Sequence, residues 1–197
     1  MMVDRATRAE PGVNERIAAR VRELRAERGM SLEALAERTG VSRSMISLIE
    51  RGESSPTATL LEKLAAGLNT SLAGLFEPVA TSADPVSRKA DQAVWRDPGS
   101  GYVRRNVSPS GDLTPIQIVD VLFPPGAHVA YEHGTRQPVL HHQVWVLDGA
   151  IEVTVGDERH ALAAGDCLAF ALDRPTAYRN RTRKPARYAV VIVGGSR

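Results

Sequence analysis

Residues 31–52, SLEALAERTGVSRSMISLIERG, constrain this chain more tightly than any other stretch. Leu32, Leu35 and Ala36 form an apolar stripe at helical spacing. Ser31 stands where an N-cap hydroxyl can accept from an orphan backbone N–H. Gly40 can adopt positive φ at a helix end without a Cβ penalty. Ser42 is placed to cap a second helix whose buried side is Ile46 and Ile49. The pattern predicts two short helices joined by a tight turn, crossing closely over the small Ala36.

Such a pair is the arrangement expected of a DNA-binding helix-turn-helix, whose second helix enters the major groove. Helices are also expected near residues 13–28, with Ile17, Val21 and Leu24 inward, and around Leu60, Leu61, Leu64 and Leu68. Ser71 is expected to start a fifth, short helix carrying Leu72, Leu75 and Phe76. The register formed by Leu35-Ala36, Gly40-Val41-Ser42, Ile46-Ser47-Leu48-Ile49-Glu50, Gly52 and TLLEKLAAGLN resembles the Cro-like, lambda-repressor-like regulators of the xenobiotic-response-element family. The resemblance covers about the first 78 residues and implies a five-helix domain that binds double-stranded operator DNA.

With Ile46 and Ile49 inward, Ser42, Arg43, Ser44, Ser47, Leu48 and Arg51 fall on the groove side of the second helix. Arg43 is suited to a guanine edge, and Ser44 and Ser47 to bases or phosphates. Leu48 suits a thymine methyl, and Ser31 and Arg51 suit phosphates. The family pairs a helix-one arginine with a glutamate after helix three. The resemblance therefore implies an Arg25–Glu50 ion pair with a structural role. Charge alone would not have suggested nucleic acid. Residues 1–77 carry eleven Lys/Arg and eleven Asp/Glu, so any phosphate-binding face must come from placement.

Composition shifts to Pro, Ser, Ala, Asp and Lys after Pro78, and the helical period ends. Short β-branched runs follow at 116–123, 144–147, 151–155, 168–172 and 188–193, separated by turns such as Pro124-Pro125-Gly126, Asp148-Gly149 and Gly165-Asp166. That spacing predicts a sandwich or barrel. The expected organisation is an α+β multidomain chain: a flexible arm at 1–12, the helix-turn-helix domain at 13–78, a linker at 79–93 and a β domain at 94–197.

Pro125-Gly126, Val144-Trp145-Val146-Leu147-Asp148-Gly149, Gly165-Asp166, Arg174-Pro175 and Asn180 resemble the cupin family, which implies a jelly-roll β-barrel. Metal-binding cupins carry His-x-His, a Glu and a later His. The matching positions here are Tyr131 and His133, then His142, then Thr176. At most two of four ligands survive, so no metal, no cofactor and no catalytic residue is expected. Tyr131, His133, His142, Thr176 and Tyr178 are instead the candidates for a small-molecule pocket. Alternation places His142, Val144 and Val146 inward and His141, Gln143 and Trp145 outward. Outward Trp145 and Leu147 would suit a homodimer interface. Cys167, the one cysteine, is expected to be a small core residue.

The hydroxypropylphosphonate epoxidases also place a helical domain before a cupin. Their iron triad falls here on Pro138, His142 and Thr176; proline and threonine do not make an iron site, and a metalloenzyme of that type is kept as the alternative reading. No run of 18 apolar residues and no leader-like segment is visible, so no membrane association is expected. The reading is a cytoplasmic, sequence-specific regulator of transcription, a repressor whose cupin senses a small effector and dimerises.

Overall fold

A computed structural model describes residues 12–77, 84–111, 115–132 and 139–194. The N-terminal part holds α1 (Val13–Glu27), α2 (Leu32–Thr39), α3 (Arg43–Glu50) and α4 (Ala58–Gly67). Ser31, Ser42 and Thr57 are the N-caps of α2, α3 and α4, accepting from Ala34, Met45 and Leu60 N–H respectively. Gly40 ends α2 at φ +68°, a left-handed cap that lets the chain reverse into α3. Ile17, Val21, Leu24, Leu35, Ile46, Ile49, Leu61, Leu64 and Leu68 close the helical core.

The expected fifth helix is not an α-helix. Residues Ala73–Phe76 form a single 3₁₀ turn, and the chain is extended again at Glu77. Four residues cannot close an α-helical ladder, and Gly74 in the middle disfavours one. Ser71 Oγ accepts from Gly74 N–H at 2.9 Å, which holds the turn against the core.

The rest is β structure: β1 (Val94–Arg96), β2 (Val103–Asn106), β3 (Ile116–Phe123), β4 (His128–Tyr131), β5 (His141–Asp148), β6 (Ala150–Val155), β7 (Glu158–Ala163), β8 (Cys167–Ala171), β9 (Thr176–Arg179) and β10 (Ala186–Val193). Six strands pair in the order β1-β2-β3-β10-β5-β8 and four in the order β4-β9-β6-β7, every pairing antiparallel. The two sheets face one another without closing, so the domain is a cupin-like sandwich rather than the expected closed barrel. Alternate residues Val119, Val121, Phe123, Val144, Val146, Val153 and Val190 fill the space between them. The β5–β6 hairpin turns at Gly149, φ +75°, where a Cβ would lie 2.8 Å from the Pro185 carbonyl.

The two parts are locked together. Asp97, 3% exposed, accepts from Ala58 N–H at the start of α4 (2.9 Å) and from Ser100 N–H (2.7 Å) and Oγ–H (2.6 Å). A buried carboxylate of the β part thereby caps a helix of the other part. Thr59 Oγ1 donates to the Ala130 carbonyl (3.1 Å), and Asn106 Nδ2 to the Ala73 carbonyl (3.0 Å). Trp95 on β1 meets the Phe76 ring edge-on at 5.6 Å.

Candidate nucleic-acid interface and sandwich cavity

The orientation of α3 follows from its hydrophobic side. Ile46 and Ile49 are almost fully buried, so Ser42, Arg43, Ser44 and Arg51 are exposed, and Ser47 and Leu48 are half-buried at the margin. Arg43, the first residue of α3, pairs with Glu33 of α2 at 2.6 Å, both side chains more than half exposed. An ion pair so exposed contributes little and yields readily to a phosphate or base edge. Arg51 Nη1 donates to Ser47 Oγ at 2.5 Å, and the guanidinium forks onto Glu53 at 2.8 Å. Ser42 and Ser44 hydroxyls lie 3.2 Å apart. Ser31 Oγ accepts its cap bond at 3.1 Å, and its hydroxyl hydrogen remains to donate to a phosphate.

Behind α3, Arg25 holds Glu50 bidentately, Nε to Oε1 at 2.6 Å and Nη2 to Oε2 at 2.8 Å. The hydrogen bond from Arg25 to the Glu50 carboxylate raises the arginine above its ordinary pKa. Arg25 Nη1 also reaches the Met30 carbonyl (2.8 Å), and Arg22 donates to the Glu50 carbonyl. The pair fixes the pitch of α3 against α1.

In the sandwich, His142, Val144 and Val146 point inward, while His141, Gln143 and Trp145 are exposed. A cavity of about 60 Å³ opens between the sheets, and Tyr131, His142, Thr176 and Tyr178 line it. His133, the fifth candidate, lies outside the described residues, as does Pro138. The same space is lined by residues that sequence reasoning did not single out: Tyr102 just before β2, Arg104 on β2, Tyr188 on β10, and Glu62 and Leu72 from the helical part. Nothing local marks them. Glu62 follows two apolar helix positions, and β2 is four residues long without a cupin signature.

Tyr102 and Tyr131 hydroxyls meet at 3.3 Å, and the Tyr178 and Tyr188 rings stack at 5.9 Å. Burial pushes all four phenols above the ordinary tyrosine pKa.

The donors do not fit a catalytic metal. Thr176, where the cupin histidine would stand, is a hydroxyl buried to 2% exposure, and Tyr131 is a phenol held neutral. Among the described residues no three His, Cys, Asp or Glu side chains converge. The epoxidase triad fails at the same position, because a threonine hydroxyl replaces its second-motif imidazole. Cys167 is not the core residue expected. It is exposed, because β8 pairs it directly with outward Trp145 and directly opposed residues share a face.

Two family profiles match the chain, a helix-turn-helix (HTH_3) over residues 21–75 and a cupin domain (Cupin_2) over residues 119–193. The HTH-type transcriptional regulator SutR of Escherichia coli (strain K12) is 30% identical over 83% of this chain and 86% of its own length. The HTH-type transcriptional regulator PuuR of the same organism is 28% identical over 82% of this chain and 85% of its own. Among solved structures, an HTH_3 family transcriptional regulator from Vibrio cholerae superposes with a TM-score of 0.75 at 27% identity, covering 93% of this chain and 98% of that one.

Proposed function

We propose a specific device from one premise: this chain belongs to the HTH-type transcriptional regulators that join a helix-turn-helix to a cupin domain. Residues 13–78 are the reading head, 94–197 the sensor, 79–93 the connection and 1–12 an arm. The head binds an operator in the cytoplasm and represses, and a small molecule in the sandwich cavity relieves binding.

One observation carries this reading. The cavity that holds Tyr131, His142, Thr176 and Tyr178 takes part of its wall, Glu62 and Leu72, from the helical part. A ligand lodged there can meet α4 as well as the sheets and so favour one placement of the head over another, as a population shift requires. For the head, support comes from the exposed Ser42, Arg43 and Ser44 at the start of α3, with Ser47, Leu48 and Arg51 beside them. Ser31 serves the backbone from the start of α2.

A single small head makes few phosphate contacts, so two copies on two half-sites are needed for tight binding. The outer face of the six-stranded sheet suits that pairing. Trp145 is 50% exposed, Leu122 48% and Ile118 37%, and the strand register puts all three on one side.

The test is selection of bound duplexes from a random pool, followed by titration of the selected site at fixed salt. Wild type should recover one motif with dyad symmetry, and Arg43→Ala should lose about 1–3 kcal/mol of discrimination at one base pair. Recovery of no motif, or an Arg43→Ala variant as selective as wild type, overturns the reading of the head.

A further inference from the structure

All four tyrosines of the chain, Tyr102, Tyr131, Tyr178 and Tyr188, line the cavity between the sheets. Among the described lining residues, Arg104 is the only permanent cation. It is 4% exposed, and its Nε has no hydrogen-bond partner. Its guanidinium lies 4.7 Å from the centroid of the Phe76 ring, and no carboxylate of a described residue forms an ion pair with it. A guanidinium taken out of water with a donor unspent is costly unless an anion meets it. The surrounding wall offers tyrosine rings, valines and isoleucines, surfaces that stabilise hydrocarbon.

We propose that this cavity is the site of a small organic monocarboxylate, its anionic head held by Arg104 and its short apolar body enclosed by the tyrosines. The inference rests on the sensor reading above and names its ligand class. Size follows from the volume: one water needs about 10–15 Å³ of such space, so 60 Å³ takes on the order of five non-hydrogen atoms. The same volume leaves no room for a second carboxylate beside a carbon chain, which limits the ligand to one. Tyr102 Oη, 3.3 Å from Tyr131 Oη, supplies a hydroxyl dipole in the same lining.

The experiment uses the full chain with propionate and butyrate against propionamide and butyramide. The two sets are nearly isosteric and differ in charge. Ionic strength is held constant with sodium chloride, and binding is read by thermal shift and by the change in tryptophan fluorescence, to which Trp95, its ring 5.9 Å from that of Tyr102, contributes beside Trp145. The acids should raise the melting temperature saturably and the amides should not, and Arg104→Gln should weaken the acids at least tenfold. Equal effects of acid and amide, no effect of either, or an Arg104→Gln variant that binds like wild type overturns the proposal. Should Arg104→Gln not fold, the acid–amide comparison on wild type decides alone, with Tyr102→Phe expected to weaken the acids several-fold. Operator binding measured in parallel separates the two readings. Acids that bind without releasing DNA refute the sensor and leave the site. Release by neutral compounds only refutes the site and leaves the sensor.

Discussion

Replacing Glu50 by Gln probes the joint that sets the pitch of α3. The substitution keeps the shape of the side chain and removes its charge. Glu50 is 8% exposed and Arg25 19%, and their two bonds measure 2.6 and 2.8 Å. Breaking a fully buried pair by removing one partner costs about 3–5 kcal/mol, because the surviving charge is stranded. Here Arg25 keeps its bond to the Met30 carbonyl and some contact with solvent, so the expected loss is about 2–3 kcal/mol. For a domain the size of the helical part, that lowers the midpoint by roughly 10–20 °C. The assay is thermal unfolding followed by helical circular dichroism, with Arg25→Met and the double variant completing a cycle. The double variant should be at least about 1 kcal/mol more stable than the sum of the single losses predicts, since it strands no charge. A loss below about 0.5 kcal/mol for Glu50→Gln, or strict additivity, would show that the pair does not hold α3. Under conditions where Glu50→Gln is folded, it should select the same operator as wild type.

Three further outcomes follow from the same structure. Asp97→Ala removes three hydrogen bonds at the junction, two of them to backbone N–H groups, and should cost about 2–3 kcal/mol in denaturant unfolding; a loss within about 0.5 kcal/mol would mean the cap is unimportant. Burial raises the folded pKa of all four tyrosines above that of the unfolded chain, so their contribution to stability is whole below about pH 10 and is lost as pH rises through the folded values. Absorbance at the tyrosinate band should therefore stay flat at pH 10 and rise only together with unfolding, and early ionisation would contradict the buried cluster. Trp145→Lys should convert a dimer to a monomer in light scattering while leaving stability within about 0.5 kcal/mol, because the ring is half exposed in one chain; an unchanged mass would move the interface elsewhere.

The helix-turn-helix was legible because its determinants are local. A cap hydroxyl, a glycine that tolerates φ +68° and two isoleucines at helical spacing each act within a few residues of one another. Strand positions and inward parity were readable for the same reason: alternation at His142, Val144 and Val146 is a property of neighbours. The expected fifth helix failed because a terminal turn is decided by what it packs on, and Gly74 and the Ser71 cap settled it as 3₁₀. Cys167 was misjudged because its face depends on which residue of β5 it opposes, a pairing between strands distant in sequence. By themselves, the residues determined two domains, the face that α3 offers and the threonine, Thr176, at the cupin histidine position. Only the tertiary structure brought Glu62 of α4 and Arg104 of β2 to one cavity and put Asp97 on the end of α4. Those contacts join segments some forty residues apart. No local preference encodes them, because they form only once sheet and helices have closed on each other.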